Sequence, residues 1–219
     1  MKNEAIRATV LSVKIISNVS LDLAEKFELK PHHKSLGLIT ADIDDVTYTA
    51  LDEATKAADV DVVYARSMYA GSANASTKLA GEVIGILAGP SPAEVRSGLN
   101  AAVDFIESGN GAHFTSANDD NTIPYFAHTV SRTGSYLSGV AGIEEGEPLA
   151  YLIAPPLEAM YGLDAALKAA DVRMVAFFGP PSETNFGGGL LTGSQSAAKA
   201  ACDAFAAAVQ SVAENPTNY

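Results

Sequence analysis

The sequence is poor in the residues that carry redox and covalent chemistry. It contains one cysteine and no tryptophan in 219 residues, and aromatic residues make up 7% of the chain. A single cysteine excludes an internal disulfide. Cys202 lies in the alanine-rich segment AAKAACDAFAAA, where a small buried residue is the expected role. We therefore predict a structural, unreactive thiol.

Clusters of basic residues and long apolar runs are also missing. The chain has 14 Lys and Arg against 26 Asp and Glu, a net charge of -12. This balance disfavours nucleic acid, whose binding depends on phosphate contacts, and suits a cationic small molecule or simply solubility. No apolar stretch is long enough for a membrane span, and MKNEAIRATV lacks the apolar core of a signal peptide. We expect a cytoplasmic protein.

Motifs of enzymes and metal sites are absent as well. There is no Walker loop, no nucleophile elbow and no paired-cysteine signature. Gly187-Gly188-Gly189 precedes a predicted strand, whereas a phosphate-binding loop leads into a helix. His32 and His33 lie in KPHHK, which predicts a charged, exposed turn with no metal. Because no nucleophile has a partner base, we predict that the chain is not an enzyme.

What the chain does contain is a long internal repeat. LDEATKAADVDVVYA (51–65) and LDAALKAADVRMVAF (163–177) match at nine of fifteen positions, 112 residues apart. Average composition would give about one or two matches. A period of half the chain indicates two copies of one small domain rather than a solenoid. We predict domains over residues 1–112 and 113–219.

Each copy predicts a mixed α/β (α+β) unit, with the order strand, loop, helix, strand, long loop, strand, helix. Ser91, Pro92 and Glu94 form a predicted capping box at the start of one helix. The predicted strands cover residues 10–20, 35–42, 61–69 and 81–89 in the first copy, and 149–156, 172–179 and 187–193 in the second, where residues 126–138 predict a strand and turn. The predicted helices cover residues 46–58, 92–108, 158–170 and 194–215.

Two loops and three carboxylates are the candidate functional features. The loops at 70–81 and 179–189 follow equivalent strands, and either carry function or are tolerated surface variation. Asp44 and Asp45 precede a predicted helix, and Glu82 opens a strand. Helix capping would explain one of the aspartates. The alternative is an acidic site that holds an ammonium group.

Long blocks of the chain resemble a known family. SLGLITADIDDVTYTALDEATK, GEVIGILAGPSPAEVRSGL and LTGSQSAAKAACDAF are similar to the shell proteins of the ethanolamine-utilisation bacterial microcompartment. The resemblance implies two tandem circularly permuted microcompartment (BMC) domains, and three chains forming a flat pseudo-hexameric trimer. It further implies tiling with other shell proteins into the coat of the microcompartment in the cytoplasm, and a central pore gated by two loops.

The resemblance also assigns residues. Ethanolamine would bind at small pores within each subunit and favour the closed gate. The residues implied for it are Asp44, Asp45, Glu82, Phe114, Thr184, Asn185 and Phe186. The residues implied for the gating loops are Ser67, Tyr69, Asn74, Glu183, Gly187 and Gly188, with the glycines expected to make the gate more mobile.

Other roles stay open at this point. Glu158 and His128 could meet as a metal pair in an open conformer, although a structural role is the stronger expectation. No cofactor is expected to be required, and a bulky cofactor of the pathway is a candidate for passage through the pore. A soluble trimeric amine sensor with no shell role is the alternative function. A sensor would stay a discrete trimer at high concentration, whereas a tile would form sheets.

Overall fold

The computed structural model describes residues 1–68, 79–108, 111–180, 182 and 185–217. The chain forms two compact units. We call Arg7–Ala112 with Gly134–Leu137 the amino-terminal unit, and Met1–Ile6, His113–Thr133 and Ser138–Tyr219 the carboxy-terminal unit. The domain boundary after residue 112 stays a prediction, because the units also include short segments from the other half of the chain.

Each unit is built on an antiparallel sheet. The strands are β1 Ala5–Ile6, β2 Val10–Ile16, β3 Ser35–Ala41, β4 Asp61–Ser67, β5 Val83–Gly89, β6 Phe114–Ser116, β7 Pro124–Val130, β8 Leu149–Ala154, β9 Val172–Phe178 and β10 Gly187–Gly193. The amino-terminal sheet has the order β2-β3-β5-β4, and the carboxy-terminal sheet the order β1-β6-β7-β8-β10-β9. The last four strands of the second sheet repeat the whole of the first.

The helices repeat in the same way. They are α1 Leu21–Lys26, α2 Asp44–Ala57, α3 Pro92–Glu107, α4 Ser135–Ala141, α5 Pro156–Ala169 and α6 Gln195–Glu214. The pair α2 and α3 packs in the amino-terminal unit, and the pair α5 and α6 packs in the carboxy-terminal unit. The apolar faces of these helices bury the inner face of each sheet, which confirms the predicted mixed α/β units. None of the described helices is long and apolar enough to span a membrane.

The two copies align residue by residue. Ala41 pairs with Val83 between β3 and β5, as Ala154 pairs with Gly187 between β8 and β10. Residues of β3 therefore correspond to β8 residues 113 positions later, and Val83 corresponds to Gly187. The sequence repeat places α5 112 positions after α2, and both helices contain 14 residues. This correspondence makes the two copies comparable position by position.

The predicted helices and strands are confirmed, with shifted ends. The strands end earlier than predicted, at Ile16 and Ser67, and α2 begins two residues earlier, at Asp44. Four short elements, β1, β6, α1 and α4, were not predicted, because two to seven residues are too few for a periodic pattern.

Capping is confirmed in part at α3. Ser91 Oγ accepts a hydrogen bond from the N–H of Glu94 at 3.2 Å, as a helix N-cap does. The carboxylate of Glu94 accepts from the N–H of Asp59 at 3.0 Å, so it joins α3 to the turn before β4. Ser194 caps α6 in the same way, with the N–H of Ala197 at 3.1 Å.

The prediction of a structural cysteine is confirmed. Cys202 is buried among α5, α6 and the sheet, and burial raises the pKa of its thiol to about 11. Thr129 Oγ1 lies 3.4 Å from its Sγ and donates a weak hydrogen bond to it. A thiol with this pKa holds almost no thiolate at neutral pH, so it is a poor nucleophile.

Candidate functional site

Four carboxyl groups lie where β3 ends, α2 begins and β5 begins. We call Asp42, Asp44, Asp45 and Glu82 the acidic corner. The N–H of Glu82 donates to the carbonyl of Ala41 at 2.8 Å, which brings the residue before β5 beside the last residue of β3. The predicted placement of Glu82 inside the strand is wrong by one residue, since β5 starts at Val83. Glu82 therefore lies just before the first residue of β5, at the end of the sheet where β3 finishes.

The two aspartates of α2 do not cap the helix. The N-cap is Ile43, and it makes no side-chain capping bond, so the capping explanation of Asp44 is wrong. Both aspartates lie in the first turn and are buried. Burial raises the pKa of Asp44, although its Oδ1 accepts from the N–H of Asp45 at 2.9 Å. The favourable field of the helix N-terminus is one reason that carboxylates are tolerated there.

A chain of hydroxyl groups ends on Asp44. Ser67 Oγ donates to Asp44 Oδ2 at 2.7 Å, and Tyr48 Oη lies 2.5 Å from Ser67 Oγ. Because a serine hydroxyl has one hydrogen, and Ser67 gives it to Asp44, Tyr48 must be the donor to Ser67. Ser67 is the last residue of β4. The chain therefore links the start of the loop after β4 to the acidic corner.

Glu82 has a strongly raised pKa. It is half-buried, and burial raises its pKa to about 7, with the negative charges of Asp44 and then Asp42 acting in the same direction. Asp42 is held in place by the N–H of Thr9, which donates to its Oδ1 at 2.6 Å. The carbonyl of Glu82 accepts from the N–H of Met68 at 2.7 Å. Met68 and Glu82, which flank residues 69–81, are thus hydrogen-bonded to each other at the corner.

Tyr136 lies near the acidic corner, with its ring centroid 6.2 Å from that of Tyr48, and the sequence did not indicate it. Burial, and then the neighbouring Tyr48, raises the pKa of Tyr136, and the charges of Asp52 and Asp45 act in the same direction. Tyr136 belongs to the segment 134–137, which joins the amino-terminal unit from the second half of the chain. Nothing in the spacing of residues signals this contact, because it spans more than eighty positions.

The aromatic residues assigned by resemblance lie in the carboxy-terminal unit. Phe114 is buried in β6, with its ring centroid 5.2 Å from that of Phe126 and 6.1 Å from that of Phe186. Asn185 is exposed and has a φ of +66°, and its N–H donates to the carbonyl of Ser182 at 3.2 Å. Thr184 lies outside the described residues. Contact of these side chains with a ligand stays a prediction.

The positions assigned to the gate divide between loop and strand. Gly187 and Gly188 belong to β10, which pairs with both β8 and β9. A Cβ at Gly188 would lie 1.9 Å from the carbonyl oxygen of Leu152, so glycine serves close strand packing there and not mobility. Ser67 ends β4, as described above. Tyr69, Asn74 and Glu183 lie outside the described residues, and the gating role of all six stays a prediction.

His33 does not match its predicted exposure. It is buried, with Nε2 3.1 Å from Asp61 Oδ2, and its Nδ1 accepts from the N–H of Lys30 at 3.3 Å. The ammonium of Lys30 lies 2.5 Å from the same Asp61 oxygen. His32, His33 and Asp61 have ligand atoms within 4.8 Å of one another. Because both ring nitrogens of His33 are used and a lysine shares the carboxylate, the cluster is a satisfied structural contact.

The other candidate metal pair, Glu158 and His128, has no third ligand among the described residues. Across the described part of the chain, Glu158 and His128 belong to no group of three metal-ligating side chains. The ring of His128 stacks on Phe126, with 5.7 Å between centroids. A metal at this pair stays a prediction.

Comparison with known proteins gives a consistent result. The family model of the BMC domain matches residues 35–118. The bacterial microcompartment shell protein EutL of Clostridium perfringens (strain 13 / Type A) is 78% identical over 219 residues, which is 100% of both chains. EutL of Escherichia coli (strain K12) is 57% identical over 213 residues, covering 97% of this chain and 96% of the relative.

A solved structure gives the same result for the fold. The crystal structure of the ethanolamine utilization protein EutL from Leptotrichia buccalis C-1013-b superposes with a TM-score of 0.97 at 71% identity, over 100% of both chains. These relatives are structural shell components and not enzymes. The chain belongs to the EutL family of bacterial microcompartment shell proteins.

Proposed function

We propose that three chains form a pseudo-hexameric tile of the ethanolamine-utilisation shell, and that the acidic corner of each chain binds ethanolamine as an ammonium ion. The duplicated unit supports the tile, because six similar wedges from three chains can close a ring. The tile packs with other shell proteins and carries a central pore. Ethanolamine at the corner favours the closed gate by contacting the closed state more strongly than the open one.

One observation carries the ligand assignment. Burial and the charges of two other acids raise the pKa of Glu82 to about 7. An ammonium at the corner would relieve this repulsion and restore the ionised carboxylate. Carboxylates would take the cation through charge-assisted hydrogen bonds, each contributing about 1.5–3 kcal/mol. The hydroxyl oxygens of Tyr48 and Ser67 stand beside them and could accept a hydrogen bond from the hydroxyl of the ligand.

The second copy of the unit supports one such site per chain. The positions of Asp44 and Asp45 are occupied in α5 by Pro156 and Leu157, and the position of Glu82 by Phe186. None of these side chains can pair with a cation through a carboxylate. A trimer would therefore hold three amine sites and not six.

The link between ligand and gate is proposed to run through Ser67. Ser67 contacts Asp44 and ends β4, and the loop that follows returns to the corner at Glu82. A ligand that moves or recharges Asp44 and Glu82 thus acts on both ends of one loop. The matching loop of the second copy follows β9 and lacks an acidic corner.

Calorimetric titration with ethanolamine tests the site. We expect binding heat with the wild type, at least a tenfold weaker affinity for Glu82→Gln and Asp44→Asn, and an unchanged affinity for Glu107→Gln. Glu107 is the control because it is an exposed glutamate of the same unit. The assignment fails if ethanolamine gives no heat, or if Glu82→Gln binds as the wild type does.

Light scattering and electron microscopy test the tile. A particle of about three times the 22.6 kDa chain, which forms hexagonal sheets at high concentration, would support it. A trimer that stays discrete under every sheet-forming condition would favour the amine sensor. Membership of a shell-protein family favours the tile over this sensor. A monomer at all concentrations would contradict both.

A further inference from the structure

The same face of the same helix has opposite environments in the two copies. In α2, Thr49 is 1% exposed and Asp52 is 0% exposed. Their counterparts 112 positions later in α5 are Tyr161, 57% exposed, and Asp164, which is exposed and pairs with its helical neighbour Lys168 at 2.6 Å. One turn earlier on this face, Leu157 is 61% exposed, where Asp45 is buried in α2. The face of α5 is therefore apolar and uncovered in the single chain.

The cover of the α2 face is the segment Gly134–Leu137. Asp52 Oδ2 accepts from the N–H of Gly134 at 2.7 Å, and Oδ1 accepts from the N–H of Leu137 at 2.8 Å. Thr55 Oγ1 accepts from the N–H of Ser135 at 3.1 Å. This segment follows β7 and forms the beginning of α4. Within the amino-terminal unit, the first residues of this short helix thus pack on α2.

The first copy has an equivalent segment, in which Leu23 packs against the core of its own unit while the residues before it are exposed. Ile16 pairs with Leu36 as Val130 pairs with Leu149, so residues after β2 correspond to residues 114 positions later. Gly134–Leu137 therefore corresponds to Ser20–Leu23, and both α1 and α4 start at this register. Leu21 is 87% exposed, and no side chain caps the first turn of α1. The exposed part of this segment and the exposed α5 face are the counterparts of two surfaces that contact each other in the amino-terminal unit.

We propose that Ser20–Leu23 of one chain docks on the face formed by Leu157, Tyr161 and Asp164 of a second copy. The partner is another copy because the docking segment and the docking face are internal repeats of a pair that fit each other within one chain. The contact joins two different surfaces, so it repeats around a ring, and it rests on the proposed tile. Asp164 accepts backbone N–H groups of the incoming segment, as Asp52 does.

In the proposed contact between chains, the segment lies farther from the helix than segment 134–137 lies from α2. A Cβ on Gly134 would lie 2.3 Å from Thr55 Oγ1 and 2.6 Å from the carbonyl of Asp52, so only glycine fits there. Ser20 carries a side chain at this position, which forces the segment outward. The larger side chains of Leu157 and Tyr161, in place of Asp45 and Thr49, fill the added space. Apolar burial therefore replaces part of the polar fit.

Sedimentation velocity over a dilution series tests the docking face. We expect Tyr161→Glu to raise the concentration of half-dissociation at least 100-fold and Asp164→Asn at least fivefold. Asp203→Asn is the matched control, since Asp203 also pairs with a lysine one turn away on an exposed helix face, at 2.7 Å. It should stay within twofold of the wild type. Circular dichroism of each variant verifies that the fold is intact.

A cross-link keeps the proposal testable if Tyr161→Glu does not fold. Ser20→Cys combined with Asp164→Cys should give disulfide-linked oligomers under mild oxidation, and either single variant should give none. A wild-type trimer that neither Tyr161→Glu nor Asp164→Asn weakens, and that does not cross-link, would overturn this contact and leave the tile standing. A monomeric wild type would overturn both.

Discussion

The two copies of the unit share one backbone and differ most at one corner. Where the amino-terminal unit has Asp44, Asp45 and Glu82, the carboxy-terminal unit has Pro156, Leu157 and Phe186, each at the corresponding position, and the sheet order is the same. The fold therefore does not require acids there. Burying carboxyl groups costs free energy, so their presence in one copy indicates a role outside stability.

A second difference lies in the cores and leaves the fold unchanged. In the amino-terminal unit, Gly37 lies against Leu99, and a Cβ on Gly37 would come within 2.8 Å of that leucine. The corresponding residues of the carboxy-terminal unit are Ala150 and Cys202, both in its core. A small residue and a large one have been exchanged for two of intermediate size. The larger residue at the position of Gly37 thus offsets part of the volume lost at the position of Leu99.

Removing the buried carboxylate of α2 should give the largest effect on stability. Asp52→Ala leaves the N–H groups of Gly134 and Leu137 without an acceptor in a buried site. We expect the free energy of unfolding to fall by about 3–5 kcal/mol. Chemical denaturation measures it. Asp203→Ala, which breaks only an exposed pair, should cost less than about 1 kcal/mol.

The result tests whether the contact of Asp52 with residues 134–137 distinguishes α2 from its repeat α5. If Asp52→Ala and Asp203→Ala lose similar free energies, the segment 134–137 is not held by Asp52, and the contrast between α2 and α5 has another cause. A large loss for Asp52→Ala alone would establish the contact that the second copy leaves unmade in the single chain.

Exchanging core residues between the copies should give the next largest effect. Gly37→Ala drives a methyl group into Val95 and Leu99, at 2.6 and 2.8 Å, and should cost about 1–3 kcal/mol. Leu99→Cys leaves a cavity and should cost about 2–3 kcal/mol. The double variant reproduces Ala150 and Cys202. We expect it to lose at least about 1 kcal/mol less than the sum of the singles, as measured by a double-mutant cycle.

Strict additivity in that cycle would mean that the two cores are not exchangeable. The similarity of the copies would then lie in the backbone alone, and each core would depend on residues beyond this pair.

Adding one methyl group at the docking segment should give a smaller effect. Gly134→Ala places a Cβ 2.3 Å from Thr55 Oγ1, and we expect a loss of about 1–3 kcal/mol by thermal denaturation. Gly139→Ala is the control, because nothing lies within 4 Å of its Cβ position in α4. It should be neutral or stabilise by up to about 1 kcal/mol. Equal effects at both positions would contradict the tight docking of this segment.

The sequence predicts the repeated features well and the single ones poorly. The 112-residue repeat, the capping serine and the periodic apolar residues locate nearly every long element, because those signals are local. The contact of Tyr136 with Tyr48 and the burial of His33 against Asp61 were missed, since both depend on residues that only the folded chain brings together. The acidic corner was indicated by residue type, but helix capping explained it equally well until the structure gave Ile43 as the N-cap.

The last prediction concerns the pH dependence of the acidic corner, where Glu82 is only half-buried and solvent screening reduces the effect. The pKa of Glu82 is raised from 4.5 to about 7 in the folded chain, chiefly by burial and then by Asp44 and Asp42. Between pH 4.5 and 7 the unfolded chain releases this proton while the folded chain retains it, so the contribution of Glu82 to stability falls as pH rises and levels off above 7. Glu82→Gln should equal the wild type near pH 4 and exceed it in stability at pH 8, whereas Glu107→Gln should follow the wild type throughout.

Ethanolamine added at pH 8 should narrow this difference in stability by pairing with the ionised carboxylate of Glu82. The corner of the second copy has Phe186 at this position and offers no such group. Parallel stability profiles for the wild type and Glu82→Gln from pH 4 to 8 would mean that Glu82 titrates as an ordinary surface acid, and the two corners would then differ in charge alone.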